Sequence, residues 1–360
     1  MRFPKRIRLK LNGEKSDRPV ASGASMKEQS SGNIVLVIPV YNDWESVELL
    51  LPAVDEALER YPTPVHVLLV DDSSTVSPSQ ERLGGAYTNI VRIDVLHLRR
   101  NLGHQRAIAV GLCHASEKMA GLPVLVMDGD GEDRPEDVPR LLREYERHGR
   151  AKAVFAARTR RMESLAFRCS YHLYRLLHWL LTGIAVRIGN FSVLPPDAVT
   201  RLVVVSDLWN HYAAAVIAAH LPMTTLGLPR GPRLRGKSSM NFFALLAHGL
   251  GAISVYSDIV SVRLLAMAVA AVITVSGALL VSGGGSGLWV ALVLSVQALI
   301  SALLLVFFTL GARSRTSFLP LRDAHYFVLD IRPVYSAEHD LPLHRLQLAQ
   351  NVANREHQNI

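Results

Sequence analysis

From Leu264 to Ala312 the chain runs for 49 residues without a single Asp, Glu, Lys, Arg or His. A helix needs about 20 residues to cross the ~30 Å hydrocarbon core of a bilayer, so this run fits two crossings and a turn. Gly283, Gly284, Gly285, Ser286 and Gly287 fall in its middle and supply the turn. Leu264–Val281 and Leu288–Leu310 are therefore predicted as a transmembrane hairpin within 263–311. A buried helix of a soluble core is the alternative, but such helices rarely continue this long without charge. Arg263 precedes the run, Arg313 and Arg315 follow it, and the turn carries no charge. The positive-inside rule then puts both termini and the bulk of the protein on the cytoplasmic side of the membrane. A lone hairpin has little protein to pack against, which points to a homo-oligomer.

The rest of the 360-residue chain is less extreme, with 49% hydrophobic and 19% charged residues overall, a balance that excludes general disorder. Cys113 and Cys169 are too few for a disulfide scaffold or a four-cysteine zinc site. The net charge of +8 resembles a nucleic-acid signal until it is located. Residues 1–32 hold eight Lys/Arg against three Asp/Glu, so most of the excess sits in this leader and no nucleic-acid partner is implied. The leader lacks the apolar stretch of a secretory signal and is expected to be a disordered, basic, juxtamembrane-type tail. At the other end, 312–360 is expected to be a cytoplasmic tail.

Two further stretches look membrane-adjacent. Arg168, His172, Arg175 and His178 recur at helical spacing between Ser164 and Ile184, with Phe167, Leu173, Leu176, Leu177, Trp179 and Leu180 largely on other faces. A basic amphipathic helix of this kind can lie in an anionic interface or pack on its own domain with a solvated face. Residues 241–262 are apolar with sparse polar positions and are expected to form juxtamembrane helices.

Between Asn33 and Arg160, apolar runs alternate with helical patterns. Ile34–Val40, Val65–Val70, Val91–Leu98 and Val124–Met127 read as strands, with helices at Trp44–Arg60 and Gln105–Ala120. This alternation predicts an α/β fold with a parallel, doubly wound sheet, whose ligands bind beyond the carboxyl ends of the strands. Asn42, Asp71, Asp72, Asn101, Asp128 and Asp130 all fall at such ends. One Asp there would be an ordinary helix cap; polar groups ending four strands together indicate a site.

The densest constellation is Val124-Leu-Val-Met-Asp-Gly-Asp-Gly-Glu-Asp-Arg-Pro-Glu-Asp137. Asp128, Asp130 and Glu132 offer hard oxygen donors suited to Mg²⁺ or Mn²⁺, which commonly share such sites with substrate phosphates. An EF-hand loop would need Gly and Glu where Asp133 and Pro139 stand. An acidic turn starting the next helix is the plainer reading, and the two can coexist. Gly231–Ser238 satisfies the P-loop spacing, but Pro232 removes an amide the phosphate cradle needs, and the Asp-tipped strands lie upstream. Arg233, Arg235 and Lys237 can still close over phosphates by charge. No dinucleotide-binding glycine fingerprint follows any strand.

Together these segments resemble family 2 glycosyltransferases, in particular the polyprenyl-phosphate enzymes related to dolichyl-phosphate mannose synthase. IVLVIPVYNDWESVELLL resembles the family's opening strand, VHVLLVDDSS its second, RRNLGHQRAIAVGL its Asn-x-Gly segment, DGDGEDRPE its Asp-x-Asp motif and RLRGKSSM its Arg-x-x-Gly-x-Ser segment. Order and spacing agree from about Ile34 to Met240. The resemblance implies a GT-A type domain over 33–240, a UDP- or GDP-linked sugar donor, a divalent metal and a polyprenyl-phosphate acceptor. It implies nucleotide contacts from Pro39, Tyr41, Asp43, Asp71 and Asp72, and metal and diphosphate at Asp128, Asp130 and Glu132. Arg158, Arg233, Arg235, Lys237 and Ser238 would contact phosphates, with Asp128, Asp130 and Arg233 carrying the catalysis. Gly131, Glu132 and Ser239 replace the family's usual Leu, Gln and frequent Lys.

The implied reaction is inverting transfer of one sugar at the membrane. A phosphate monoester is largely dianionic at neutral pH, so it needs no base to attack the anomeric carbon. Two other readings remain at this level. A processive polysaccharide synthase would carry a Gln-x-x-Arg-Trp sequence and more spans, and neither is present here. A non-catalytic membrane scaffold with a degenerate fold is disfavoured by the intact Asp128 and Asp130.

Overall fold

The computed structural model describes residues 33–158, 176–184, 188–236, 242–281, 287–313 and 318–337. The N-terminal basic leader, Arg168, Arg175, Lys237 and Ser238 lie outside the described residues. The four predicted strands form in order: β1 (Ile34–Val40), β2 (Val65–Asp71), β3 (Ile90–Leu98) and β4 (Val124–Val126). They lie side by side as β4-β1-β2-β3, all parallel. Their burial explains their sequences, since strands covered on both faces read as unbroken apolar runs. Helices α1 (Trp44–Leu58) and α3 (His104–Lys118) follow β1 and β3, and a short α2 (Gln80–Leu83) lies between.

The complete sheet has eight strands and is mixed, which corrects the all-parallel expectation. After α4 (Val138–Arg147) come β5 (Ala153–Arg158) and β6 (Ile188–Leu194). Strand β6 runs antiparallel to both β4 and β5. Helices α5 (Pro196–Leu202) and α6 (Tyr212–Ala218) lead to β7 (Met223–Leu228), parallel to β5. Strand direction leaves no mark in an apolar run, so the reversal could not be read from hydropathy.

Each sheet face carries one apolar layer. On one face Ile108, Leu112 and Tyr212 pack with Val37 and Val70; on the other Leu50, Leu51, Leu141 and Tyr145 pack with Leu36 and Ile38. Each fully buried Leu or Ile contributes roughly 1.5–3 kcal/mol. Gly111 sets how closely α3 can approach, because a Cβ there would run into Val37 and Val70.

Beyond the sheet, α7 (Phe242–Ser254), α8 (Ser257–Val281) and α9 (Gly287–Arg313) form one after another. The first lies within 241–262, the stretch expected to be helical. Ala252, Ile253, Tyr256 and Val260 pack on Ala214 of α6, tying this region to the sheet domain. Helices α8 and α9 pack against each other over the predicted hairpin. At 1.5 Å per residue each is about 38–40 Å long. Among the described residues one helix, Ser257–Gly277, is long and apolar enough to cross a membrane, and Val290–Leu303 is a shorter apolar segment. Leu265, Ile273, Val293, Leu294 and Leu303 on this pair are exposed.

The short helix at 176–182 is turned opposite to a soluble one. His178 is buried and donates from Nδ1 to the Ile184 carbonyl, 2.9 Å away, whereas Leu176, Trp179 and Leu180 are exposed. Of the predicted basic face only His178 lies among the described residues, and its ring points inward to a carbonyl partner. Arg263, at the base of α8, donates to the Leu180 carbonyl at 3.2 Å.

The expected C-terminal tail needs the largest correction. Residues 318–337 return to the sheet as α10 (Pro320–Asp323) and β8 (Val328–Ser336), which adds antiparallel to β3 as the eighth strand. Trp209 stacks on Phe318 and Phe327, with ring centroids 4.1 and 5.2 Å apart. Main-chain bonds from Leu321 to Val203 and from Arg99 to Phe327 complete the docking.

Candidate active site

Loops from several strands meet beyond their carboxyl ends. Asn42 holds the first two together, adopting a left-handed φ of 53° that Asn tolerates better than most residues. Its Oδ1 accepts from the Thr75 amide at 2.8 Å, and its own amide donates to Ser74 Oγ at 2.9 Å. Ser46 donates to Asp43 Oδ1 at 2.6 Å, fixing that carboxylate at the start of α1. Asp71 ends β2 and accepts from the Ser74 amide at 2.9 Å. Tyr41 is half-exposed in the same region, and Pro39 is buried within β1.

Asp72 behaves differently from its neighbour. Its two oxygens accept the amides of Leu102 and Gly103 at 2.6 and 2.8 Å, and the side chain is buried. Burial pushes its carboxyl above the usual range, and the two amide donors partly offset this. The two amides tie Asp72 to the loop before α3, a structural duty that one lone pair on each oxygen meets.

Arg233 is the centre of the charged cluster. Its guanidinium donates from Nη1 to Asp130 Oδ2 at 3.0 Å and from Nη2 to Asp43 Oδ2. Its Nε donates to the Arg235 carbonyl at 2.9 Å. The basic loop lies against the acidic one: the Leu234 amide donates to the Asp130 carbonyl at 2.9 Å and the Gly231 amide to that of Glu132 at 2.8 Å. Gly131 sits under this contact with φ of 80°, and a Cβ there would collide with Leu234. That is the physical reason for glycine at a position where the resembling family has leucine.

Among the described residues no three His, Cys, Asp or Glu side chains converge as a metal cage. Glu132, predicted as a third ligand, is ion-paired with Arg230, because the two loops run side by side here. Asp128 and Asp130 remain as the oxygen donors. Burial and the neighbouring Asp128 push the carboxyl of Asp130 up, against the pull of Arg233 and Arg230. A pair of carboxylates this close, one with its proton affinity raised by the other, is a donor set that would suit a divalent cation shared with phosphate.

Asp128 has supports that no sequence spacing revealed. His104 Nε2 and Asn190 Nδ2 both donate to its Oδ1, at 3.0 and 3.2 Å. Partial removal from water opposes the charged imidazole of His104, but Asp128, Asp130 and Asp133 outweigh this and hold its pKa above the ordinary range. Asn190 Oδ1 accepts from Gln105 Nε2 at 3.2 Å, and Gln105 Oε1 accepts from the Tyr212 amide at 2.7 Å. This buried chain settles which end of each amide points where. The adjacent His104 and Gln105 after Gly103 were the available signal. Arg158 ends β5, in register with Leu228, and Arg235 is exposed in the basic loop.

The family model for glycosyl transferase family 2 matches residues 35–201. Among curated proteins, the undecaprenyl-phosphate 4-deoxy-4-formamido-L-arabinose transferase of Erwinia tasmaniensis is 33% identical over 117 residues, covering 32% of this chain and 35% of that protein. Its Salmonella choleraesuis counterpart is 29% identical over 161 residues, covering 45% and 47%. The chain thus spans at most about half the length of these relatives. Among solved structures, mannosyl-3-phosphoglycerate synthase from Rubrobacter xylanophilus aligns at 17% identity with a TM-score of 0.43, covering 62% of this chain and 72% of that one. Glucosyl-3-phosphoglycerate synthase from Mycobacterium tuberculosis, in complex with Mn²⁺ and UDP-glucose, aligns at 16% with a TM-score of 0.43, covering 63% and 78%. The part of the chain that matches glycosyl transferase family 2, residues 35–201, is the part that carries strands β1 to β6 of the mixed sheet and its carboxylate-lined strand ends.

Proposed function

We propose that this chain is a membrane-anchored inverting transferase that moves one sugar from a nucleotide-sugar to a polyprenyl phosphate. The carrying observation is the Asp43–Arg233–Asp130 set at the ends of β1 and β4, with Asp71 ending the neighbouring β2. Tyr41, Asp43 and Asp71 would receive the nucleoside, and Asp128, Asp130 and Arg233 the diphosphate. A guanidinium already shared between two carboxylates presents a planar fork suited to phosphate oxygens. A divalent cation, Mg²⁺ or Mn²⁺, held by Asp128 and Asp130 would neutralise charge on the departing diphosphate. His104 and Asn190 hold Asp128 in one orientation, so that carboxylate is preorganised for its role.

The acceptor supplies its own nucleophile, since a phosphate monoester with a second pKa near 6 is largely dianionic at neutral pH. The chain then needs to position it and stabilise charge, and in-line attack inverts the anomeric configuration. The names of the curated relatives support undecaprenyl phosphate as the acceptor. The exposed apolar surface of α8 and α9 supports membrane anchoring by a hairpin. Helix α7 packs on α6 before the hairpin and β8 pairs with β3 after it, which supports a topology with both hairpin ends on the side of the catalytic domain. The test is turnover of UDP- and GDP-sugars on undecaprenyl phosphate by the full chain in lipid. Transfer should need a divalent cation and fall to near background in Asp130→Asn. Full turnover in excess chelator would contradict the metal assignment.

A further inference from the structure

The strand that follows the hairpin sits beside the end of the nucleotide-facing strands. In the register of the sheet Asp71 of β2 pairs with His97 of β3, and His97 pairs with Asp330 of β8. The three side chains make a row across three adjacent strands. His97 Nδ1 donates to Asp71 Oδ2 at 2.9 Å, and its Nε2 lies 4.0 Å from Asp330 Oδ1. That oxygen is out of solvent and has no hydrogen-bond partner, whereas Oδ2 accepts from Arg332 Nη2 at 2.6 Å. The other oxygen of Asp71 takes the Ser74 amide at 2.9 Å.

We propose that β8 is a working part of the nucleotide site: Asp330 orients His97, and His97 holds the Asp71 carboxylate in the position that receives the nucleobase. The argument is geometric. A carboxylate ending a strand can rotate about two torsions, and donors on both oxygens leave it one orientation. Each oxygen keeps a second lone pair, which can accept an N–H from a base edge. The imidazole is itself steadied on its far side by a group from beyond the hairpin, as ligand residues commonly are by their outer partners. Chain that has passed through α8 and α9 thereby contributes to the site built by β1 and β2. This rests on the reading of Asp71 as a nucleotide contact.

The experiment measures UDP and GDP affinity by titration calorimetry on the full chain in detergent, with Mn²⁺, together with donor KM and kcat. Asp71→Asn should weaken binding of the preferred nucleotide strongly. His97→Leu should weaken it about tenfold and raise donor KM, with kcat and acceptor KM nearly unchanged. His97→Asn, whose amide nitrogen can take the place of Nδ1, should restore most of the affinity. Asp330→Ala lies on an edge strand that tolerates the change, and it should give a smaller loss in the same direction. If Asp71→Asn binds poorly but His97→Leu and Asp330→Ala bind like the wild type, the row is only structural and the proposal is wrong. If Asp71→Asn itself binds like the wild type, the nucleotide assignment fails first and takes the proposal with it.

Discussion

Asn190→Leu tests whether Asp128, the carboxylate proposed to serve catalysis, is held by a built network or by packing alone. The substitution keeps roughly the same volume and removes both the donor to Asp128 Oδ1, at 3.2 Å, and the acceptor for Gln105 Nε2, at 3.2 Å. A hydrogen bond to a charged group contributes about 1.5–3 kcal/mol, and a neutral one about 1 kcal/mol. If about 1.4–2.7 kcal/mol of this is felt in the transition state, kcat falls roughly ten- to a hundredfold. Donor KM should move far less, because Asp43, Asp71 and Arg233 are untouched. Asn190→Asp separates the alternatives. It preserves shape but faces a second carboxylate at about the same separation, a repulsion of about 5 kcal/mol at an effective dielectric of 20. It should therefore be worse than Asn190→Leu at neutral pH and recover partly on acidification, as one of the pair takes a proton. The assay is steady-state sugar transfer to lipid phosphate in nanodiscs, with folding checked by circular dichroism. Asn190→Asp with wild-type kcat at pH 7.5 would refute the network.

Other expectations follow from single contacts. Gly131→Leu, which restores the residue usual in the resembling family, should abolish most activity because its side chain meets Leu234 and forces the basic loop away; Leu234→Gly in the same chain should recover part of it. Asp55→Ala should cost about 3–5 kcal/mol in denaturant melts, since its carboxylate accepts the amides of Thr88, Asn89 and Ile90 at 2.7–2.8 Å beside β3. Burial, with the nearby His248, pushes the His211 imidazole down to about 3. Its folded state binds fewer protons than the unfolded one, so its stabilising contribution is complete above about pH 6.5 and is lost as pH falls toward 3. His211→Asn keeps a side-chain acceptor for the Ala214 amide, at 3.3 Å in the wild type, and should flatten the decline in melting temperature between pH 6.5 and 5. An unchanged decline would show that other groups control it.

The sequence was most legible where burial is complete. Strands β1 to β4 are covered on both faces, so their apolar runs marked them, and their polar ends mark the candidate site. Strand β8 could not be seen that way. Asp330, Arg332 and Pro333 interrupt its apolar residues, as suits an edge strand that must discourage further pairing, and the same composition reads as a tail. Asn190 and His97 were missed for another reason. Asn190 is 62 residues from the Asp128 it supports, and His97 is 26 from Asp71, so only the register of the sheet brings them together. Asp72 carries a duty that spacing alone does not show, since its carboxylate holds the amides of Leu102 and Gly103, 30 and 31 residues away.

The acceptor gives the most direct test of the central claim. Purified full-length protein in lipid, with its preferred nucleotide-sugar and Mn²⁺, should glycosylate undecaprenyl phosphate and leave undecaprenol untouched. The alcohol lacks the dianionic oxygen and would need a positioned base to take its proton. Product analysis should show the anomeric configuration inverted relative to the donor. Equal turnover of the phosphate and the alcohol, or a product with retained configuration, would contradict the account.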